Sequence, residues 1–196
     1  MSLWPWGRQS GPDDPIPPNR FDASPGGDLP IHSFRGWTDR AFVTGRLRSN
    51  ERPSDVLNRR VPVILERPRT AWFNGTDAPR LESDRQIDPF EFDLVLVSRL
   101  PSPVARSSAA RRIHKVAYRV AVSAGDFEIE GLLHLFAGLA PEFAHHRATR
   151  LFLPVTSAIV HRAGVLVSDA EEDVALVNRH SIELIRQADW TSHAQA

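Results

Sequence analysis

Apolar side chains recur at every second residue in several short stretches of this chain. In "AFVTGRLR", Ala41, Val43, Gly45 and Leu47 fall on one side, with Thr44, Arg46 and Arg48 on the other. A period of two marks a half-buried strand, because successive side chains of a pleated strand point to opposite faces. "DFEIEGLLHLF" repeats the pattern, with Phe127, Ile129, Gly131, Leu133 and Leu135 opposed to Glu128, Glu130 and His134. "RVPVILE" and "RTAWF" also read as strand. Pro62 and Pro68 interrupt them, and a residue without an N–H belongs at an edge or a bulge. "FEFDLVLVSRL" is different: Leu94 and Leu96 occupy one face, Val95 and Val97 the other, which predicts a central strand buried on both sides. "PSDVLNR" predicts one short helical turn capped by Ser54. "APEFAHHRATR" predicts a second, with Pro141 at its first position. Asn74-Gly75 is a tight-turn signal.

These elements come in the same order twice. "DLVLVSR" at 93–99 returns as "DVALVNR" at 173–179, with four of seven residues identical. Gly45 returns as Gly131, and the pair Thr70-Ala71 returns as Ser157-Ala158. The order predicts an internal duplication. The fold expected is all-β with minor α: two duplicated small β-barrel-like units in tandem, each of four or five strands, with a sandwich as the alternative. The units are read as 35–100 and 116–190. A basic linker spans 101–115, a Pro-rich tail 1–34, and a short tail 191–196. Residues 1–34 hold seven prolines, four acids and few aliphatics. Such a segment buries too little apolar surface to offset its ordering entropy, so disorder is expected. Trp4 and Trp6 within it either anchor a partner or fold back onto the chain.

The repeated motifs resemble an uncharacterised family of short bacterial proteins, a domain of unknown function. Its pattern runs from a Gly-centred strand through R-x-S-D-x-L-N and an F-x-x-L-T-x-A strand to a closing V-N-R-x-x-I. The second half supplies "IEGLLHL", "LFLPVTSAIV" and "ALVNRHSIELI"; the first supplies "RPSDVLN" after "VTGRLR". Each half departs from the pattern once, at "APEFAHH" and at "VSRLPS". The resemblance covers roughly 38–100 and 116–188 and implies neither an activity nor catalytic residues.

Charge changes the picture only when taken by region. The whole chain balances 24 basic against 24 acidic residues, and 23 of the 24 basic residues are arginine, a bias expected of a GC-rich coding sequence. Residues 35–100 carry 12 basic and 10 acidic residues, 101–115 four basic and none acidic, and 116–190 six basic and 10 acidic. Either the two halves dock on each other, or the basic one meets an anionic partner such as nucleic acid. Small Sm-like or OB-like barrels bind RNA through basic and aromatic surfaces, and Trp37, Trp72 and Phe73 are stacking platforms on that reading, core packing on the other. The start "MSLWPWGRQSGPDD" lacks a secretory leader's apolar run. No stretch approaches the ~18–20 apolar residues of a membrane helix. A cytoplasmic protein without membrane contact is expected.

Candidate chemistry is sparse. With no cysteine there is no disulfide or thiolate. Histidines gather late, at 134, 145, 146, 161 and 180, yet no H-E-x-x-H occurs, and the adjacent rings of His145 and His146 are expected to point apart. No G-x-S-x-G elbow and no phosphate-cradling glycine loop is present. Neither catalytic residues, nor a metal, nor a cofactor is therefore expected. Arg99 and Arg179 form either an anion site or a fork tying strand ends to carbonyls. With Arg111, Arg112, Trp4 and Trp6 they are the candidate binding residues. The function expected is a non-enzymatic binding or assembly module whose partner is a protein, a second copy included. Nucleic-acid binding by the first half and linker is the alternative, and a small hydrolase or metal enzyme the third reading.

Overall fold

The computed structural model describes residues 29–74, 80–98, 115–168 and 173–188. Trp4, Trp6, Arg99, Arg111 and Arg112 lie outside them, as do most of the Pro-rich tail and of the linker. The first half comprises β1 (Ile31–Trp37), β2 (Ala41–Arg48), α1 (Pro53–Leu57), β3 (Val63–Trp72), β4 (Arg80–Leu81), β5 (Arg85–Ile87) and β6 (Leu94–Ser98). The second comprises β7 (Lys115–Ala124), β8 (Phe127–Phe136), α2 (Ala144–Arg147), β9 (Phe152–Arg162), β10 (Val165–Ser168), β11 (Asp173–Asn178) and β12 (Ile182–Gln187). No helix among the described residues is long and apolar enough to cross a membrane.

The all-β class stands. The two tandem barrels do not: the strands form one open antiparallel sheet, ordered β12-β7-β8-β9-β11-β6-β1-β2-β3-β4, with β10 on β9 and β5 on β3. The reason lies in β6. Its Leu94 and Leu96 belong to one apolar cluster and its Val95 and Val97 to another. A strand buried on both faces needs a core on each side, so it joins the halves instead of closing one of them. β11 is its antiparallel partner, with Leu94 opposite Val177 and Leu96 opposite Ala175. Side chains seal the joint. Asn178, itself buried, donates through Nδ2 to the Phe92 carbonyl at 2.9 Å. Asn58 accepts from the Phe152 N–H at 2.7 Å, and the Ser181 hydroxyl donates to Asp93 at 2.6 Å.

The registers repeat between halves. Phe34 faces Gly45 as Val120 faces Gly131, and Val43 faces Thr70 as Ile129 faces Val160. Val63 faces Ile87 as Leu153 faces Val177, and Val97 faces Phe34 as Gln187 faces Val120. Positions of β1 and β2 therefore recur 86 residues on (45 to 131). Those of β3, β5 and β6 recur 90 residues on (63 to 153, 87 to 177, 97 to 187). At matched places Asp88 and Asn178 each accept from the N–H two residues ahead, both at 3.0 Å.

This corrects the strand match made from the sequence. "DLVLVSR" and "DVALVNR" lie on β6 and β11, which are partners rather than counterparts; the counterpart of β6 is β12 and that of β11 is β5. Their likeness comes from a shared environment, since both are central strands with two buried faces, where Val and Leu fit. The Thr70-Ala71 and Ser157-Ala158 match also fails, because Thr70 corresponds to Val160. Gly45 and Gly131 do correspond, and each sits opposite a β-bulge whose residue has positive φ, Arg67 at 48° and Ser157 at 51°. A Cβ on Gly45 would stand 2.5 Å from Leu65, and one on Gly131 would stand 2.6 Å from Val155. The bulge flips which parity of the strand faces inward: Leu65 is buried before it and Thr70 after it.

Smaller differences have local causes. β1 starts at Ile31, inside the tail as read, because His32, Phe34 and Gly36 alternate inward. Ser54 lies inside α1, which starts at Pro53 after Arg52, so it caps nothing. β7 begins at the linker's last residue and carries Val120, Val122 and Ala124 inward.

Candidate functional site

The outer face of β1, β2 and β3 concentrates arginine. Alternation turns Phe34, Gly36, Val43 and Leu47 inward and so turns Arg35, Arg46 and Arg48 outward. On β3 the bulge exposes Arg67 and resets the parity, and Arg69 then points outward as well. Cross-strand register aligns these residues in rows: Arg35 beside Thr44 beside Arg69, and Ser33 beside Arg46 beside Glu66. Neighbouring strands lie about 4.8 Å apart, so five guanidinium groups share a patch three strands wide with Glu66, and at its edge the Asp84 carboxylate accepts from the Arg67 N–H at 3.1 Å. Arg48 grips Glu66 with both Nε and Nη2, at 2.6 and 3.3 Å. The Arg48 hydrogen bond holds the Glu66 carboxyl below its ordinary value; burial opposes this, and the charges of Arg48, Arg46 and Arg67 add to it. Glu66 therefore stays ionised at neutral pH and cancels one of the five positive charges.

The corresponding face of the second half has none of this charge density. Its rows read Ala121 beside Glu130 beside Ile159, and Arg119 beside Leu132 beside Thr156. Where the first half has the Arg48–Glu66 ion pair, the second has His134 hydrogen-bonded to the Thr156 hydroxyl at 3.0 Å. One backbone thus carries two surfaces of different chemistry.

The residues singled out from the sequence fare unevenly. Arg179 stands in the turn after β11 and donates to the Ala148 carbonyl, with its Nε 3.3 Å from His180 Nε2. That is the structural fork, holding α2 against the joint. Arg99 lies outside the described residues. Trp37 is core: only 5% exposed, it packs against Phe42 and Phe127. Phe73 lies against the Arg162 guanidinium, 3.8 Å from its ring centroid. Trp72 alone of the three is widely exposed, at 57%. The His145 and His146 rings do not point apart; their centroids are 3.8 Å apart, because adjacent residues of the short α2 turn lean together. Burial, and then His146, lowers the His145 pKa from the ordinary imidazole value. Among the described residues no cluster of three His, Cys, Asp or Glu could hold a metal ion.

Sequence reasoning placed Arg46 and Arg48 on the outward side of their strand but did not assemble the face. The available signal was outward arginine on three strands in succession. It was masked because β1 went unread and because the bulge at Arg67 breaks the alternation of β3. No family model, no curated protein and no solved structure matches the chain.

Proposed function

We propose that the chain is a non-enzymatic binding module and that the arginine face of β1, β2 and β3 holds a polyanion, nucleic acid above all. The observation that carries this reading is the contrast between halves: among the described residues the three strands of one face carry five arginines and one acid, with Asp84 at the edge on the Arg67 N–H, and the matched positions of the other carry one arginine and one acid. Guanidinium groups suit phosphate because they are planar, permanently charged and able to donate two parallel hydrogen bonds.

Self-assembly is less well supported. A second copy adding head to tail would pair its β5 with β12 as β11 pairs with β6. That would set Arg186 against Arg85 where the joint has Leu96 against Ala175, and Gln187 against Asp84 where the joint has Val97 against Val174. Like charges across strands destabilise a ladder, and charged residues are a common way to blunt a sheet edge.

The test is fluorescence anisotropy of a labelled mixed-sequence single strand titrated with the full chain. Binding at low salt that weakens steeply toward physiological salt supports the reading. No binding at 20–50 mM salt (roughly the low end of the usual range) overturns it.

A further inference from the structure

The joint between the halves is written a second time at the end of the sheet, without its other side. β6 lies between β1 and β11. Its counterpart β12 pairs with β7 in the matching register, and among the described residues no strand lies on its other edge. The neighbouring helical turn repeats too. Pro53 and Pro141 each open one, and each is buried. In the first half that turn grips the incoming half. Asp55, two residues on, takes Arg150 at 3.4 Å, and Asn58, five on, bonds both the N–H and the carbonyl of Phe152. Two and five residues after Pro141 stand Phe143 and His146, both exposed. The Pro141–Phe143 turn packs beside β12.

The two edges differ in what they present. Leu94 is 0% exposed under β11, and its counterpart Leu184 is 45% exposed. Val95 and Ile185 are both buried. Leu96 becomes Arg186, and Val97 becomes Gln187. Leu184 and Arg186 stand beside Ser123 and Ala121 of β7 and so share the outward face. Among the described residues no acid pairs with Arg186. A half-exposed leucine and an unpaired guanidinium therefore lie side by side on an open edge, where the first half has a strand in place.

We infer that the outer edge of β12 takes up an extended segment of another protein, antiparallel to it, as β6 takes up β11. An open edge offers backbone donors and acceptors to such a strand, and side chains across the ladder select its sequence. In the joint, Val174, Ala175, Leu176 and Val177 face Val97, Leu96, Val95 and Leu94. At β12 the same four places face Gln187, Arg186, Ile185 and Leu184. The second place calls for an acid and the next two for apolar residues, because opposite charges and apolar pairs across strands stabilise a ladder. A second copy of this chain does not supply that pattern. Its β5 brings Arg85 to Arg186, and its β12, paired about a twofold axis at Ile185, brings Leu184. The charge that turns away a copy thus selects an acidic and apolar strand from elsewhere.

The experiment is a two-dimensional ¹H–¹⁵N NMR titration of the full chain with two peptides of residues 173–178: one carries Ala175→Glu ("DVELVN"), the other Ala175→Lys ("DVKLVN"). The expected result is a saturable shift centred on the amides of Leu184 to Gln187, tighter for the Glu peptide by about fivefold or more, as replacing an attractive cross-strand pair by a repulsive one implies. Arg186→Glu, an exposed substitution, should reverse the order of the two peptides. Arg35→Ala/Arg46→Ala/Arg69→Ala should leave binding at β12 unchanged, which separates it from attraction of an acidic peptide to the arginine face. No saturable shift at β12 overturns the inference, as does a shift confined to β1, β2 and β3. So does an Arg186→Glu variant that keeps the wild-type order.

Discussion

The two halves of this protein share a backbone plan and differ in what they do with it. Both run strand, strand, helical turn, bulged strand and closing strands in the same registers, with a glycine opposite each bulge. The second half spends its matched positions on packing: Phe127, Val160 and Ala175 fill its core, and Trp37 crosses over to help. The first half turns five arginines outward on β1, β2 and β3. Positions that fix the backbone, Gly45 and Gly131 above all, stay alike because a Cβ at either would press on the facing side chain, Leu65 or Val155. Positions that fix surface chemistry are free to diverge, because strand pairing does not depend on them. Similarity between the halves therefore reports the fold, and dissimilarity marks where their surfaces differ in chemistry.

The joint between the halves gives the largest expected effect. Leu96 on β6 is 1% exposed and sits in the core shared by both halves. Leu96→Ala should lower global stability by about 2–5 kcal/mol, the range for a buried Leu truncated to Ala. Denaturant melts read by probes in either half should still coincide, since no separate transition survives where one strand pair serves two cores. Independent transitions would mean that the halves fold as separate bodies.

The two glycines sharpen the comparison. Overpacking costs roughly 1–3 kcal/mol, but what the added methyl meets differs. At Gly45 it meets only the Leu65 side chain, which can rotate; at Gly131 it also meets the Thr156 carbonyl oxygen at 2.8 Å and the Ala158 Cα at 3.2 Å. Gly131→Ala should therefore destabilise more than Gly45→Ala in paired thermal melts. Equal losses would show that backbone contact does not decide the outcome.

How far the sequence disclosed this follows from which physics is local. Alternation of side chains is local, so β2, β8 and the doubly buried β6 were legible from residues alone, as was an edge or a bulge at Pro68, of which the structure has the bulge. Pairing is not local. The near-identical "DLVLVSR" and "DVALVNR" suggested counterparts, and only the registers show that they are neighbours that became alike by sharing an environment. The arginine face needed three strands set side by side and a bulge that resets parity, neither of which a linear reading supplies.

The smallest effect concerns pH. Arg48 and its neighbours depress the folded-state pKa of Glu66. The stability this contributes is present above the unfolded carboxyl value of 4.5 and is lost as pH falls through the lower, folded value. The second half's matched pair, His134 and Thr156, has no carboxylate. In thermal melts from pH 7 down to the acid limb, the gap between wild type and Glu66→Gln should be constant above pH 4.5 and close below it. A gap that persists in acid would show that the ion pair is not its source.

The central claim is that the charged face of the first half, and not the basic segment between the halves, does the binding. It is tested most directly by the salt dependence of single-strand binding in three proteins: the wild type, Arg35→Ala/Arg46→Ala/Arg69→Ala, and Arg111→Ala/Arg112→Ala. Each phosphate contact contributes about 0.7 to the slope of log affinity against log salt for a single strand. The triple variant should therefore bind more weakly, with a slope shallower by about 2, while the double variant keeps the wild-type slope. An unchanged slope in the triple variant, with the loss falling instead on the double variant, would contradict the account.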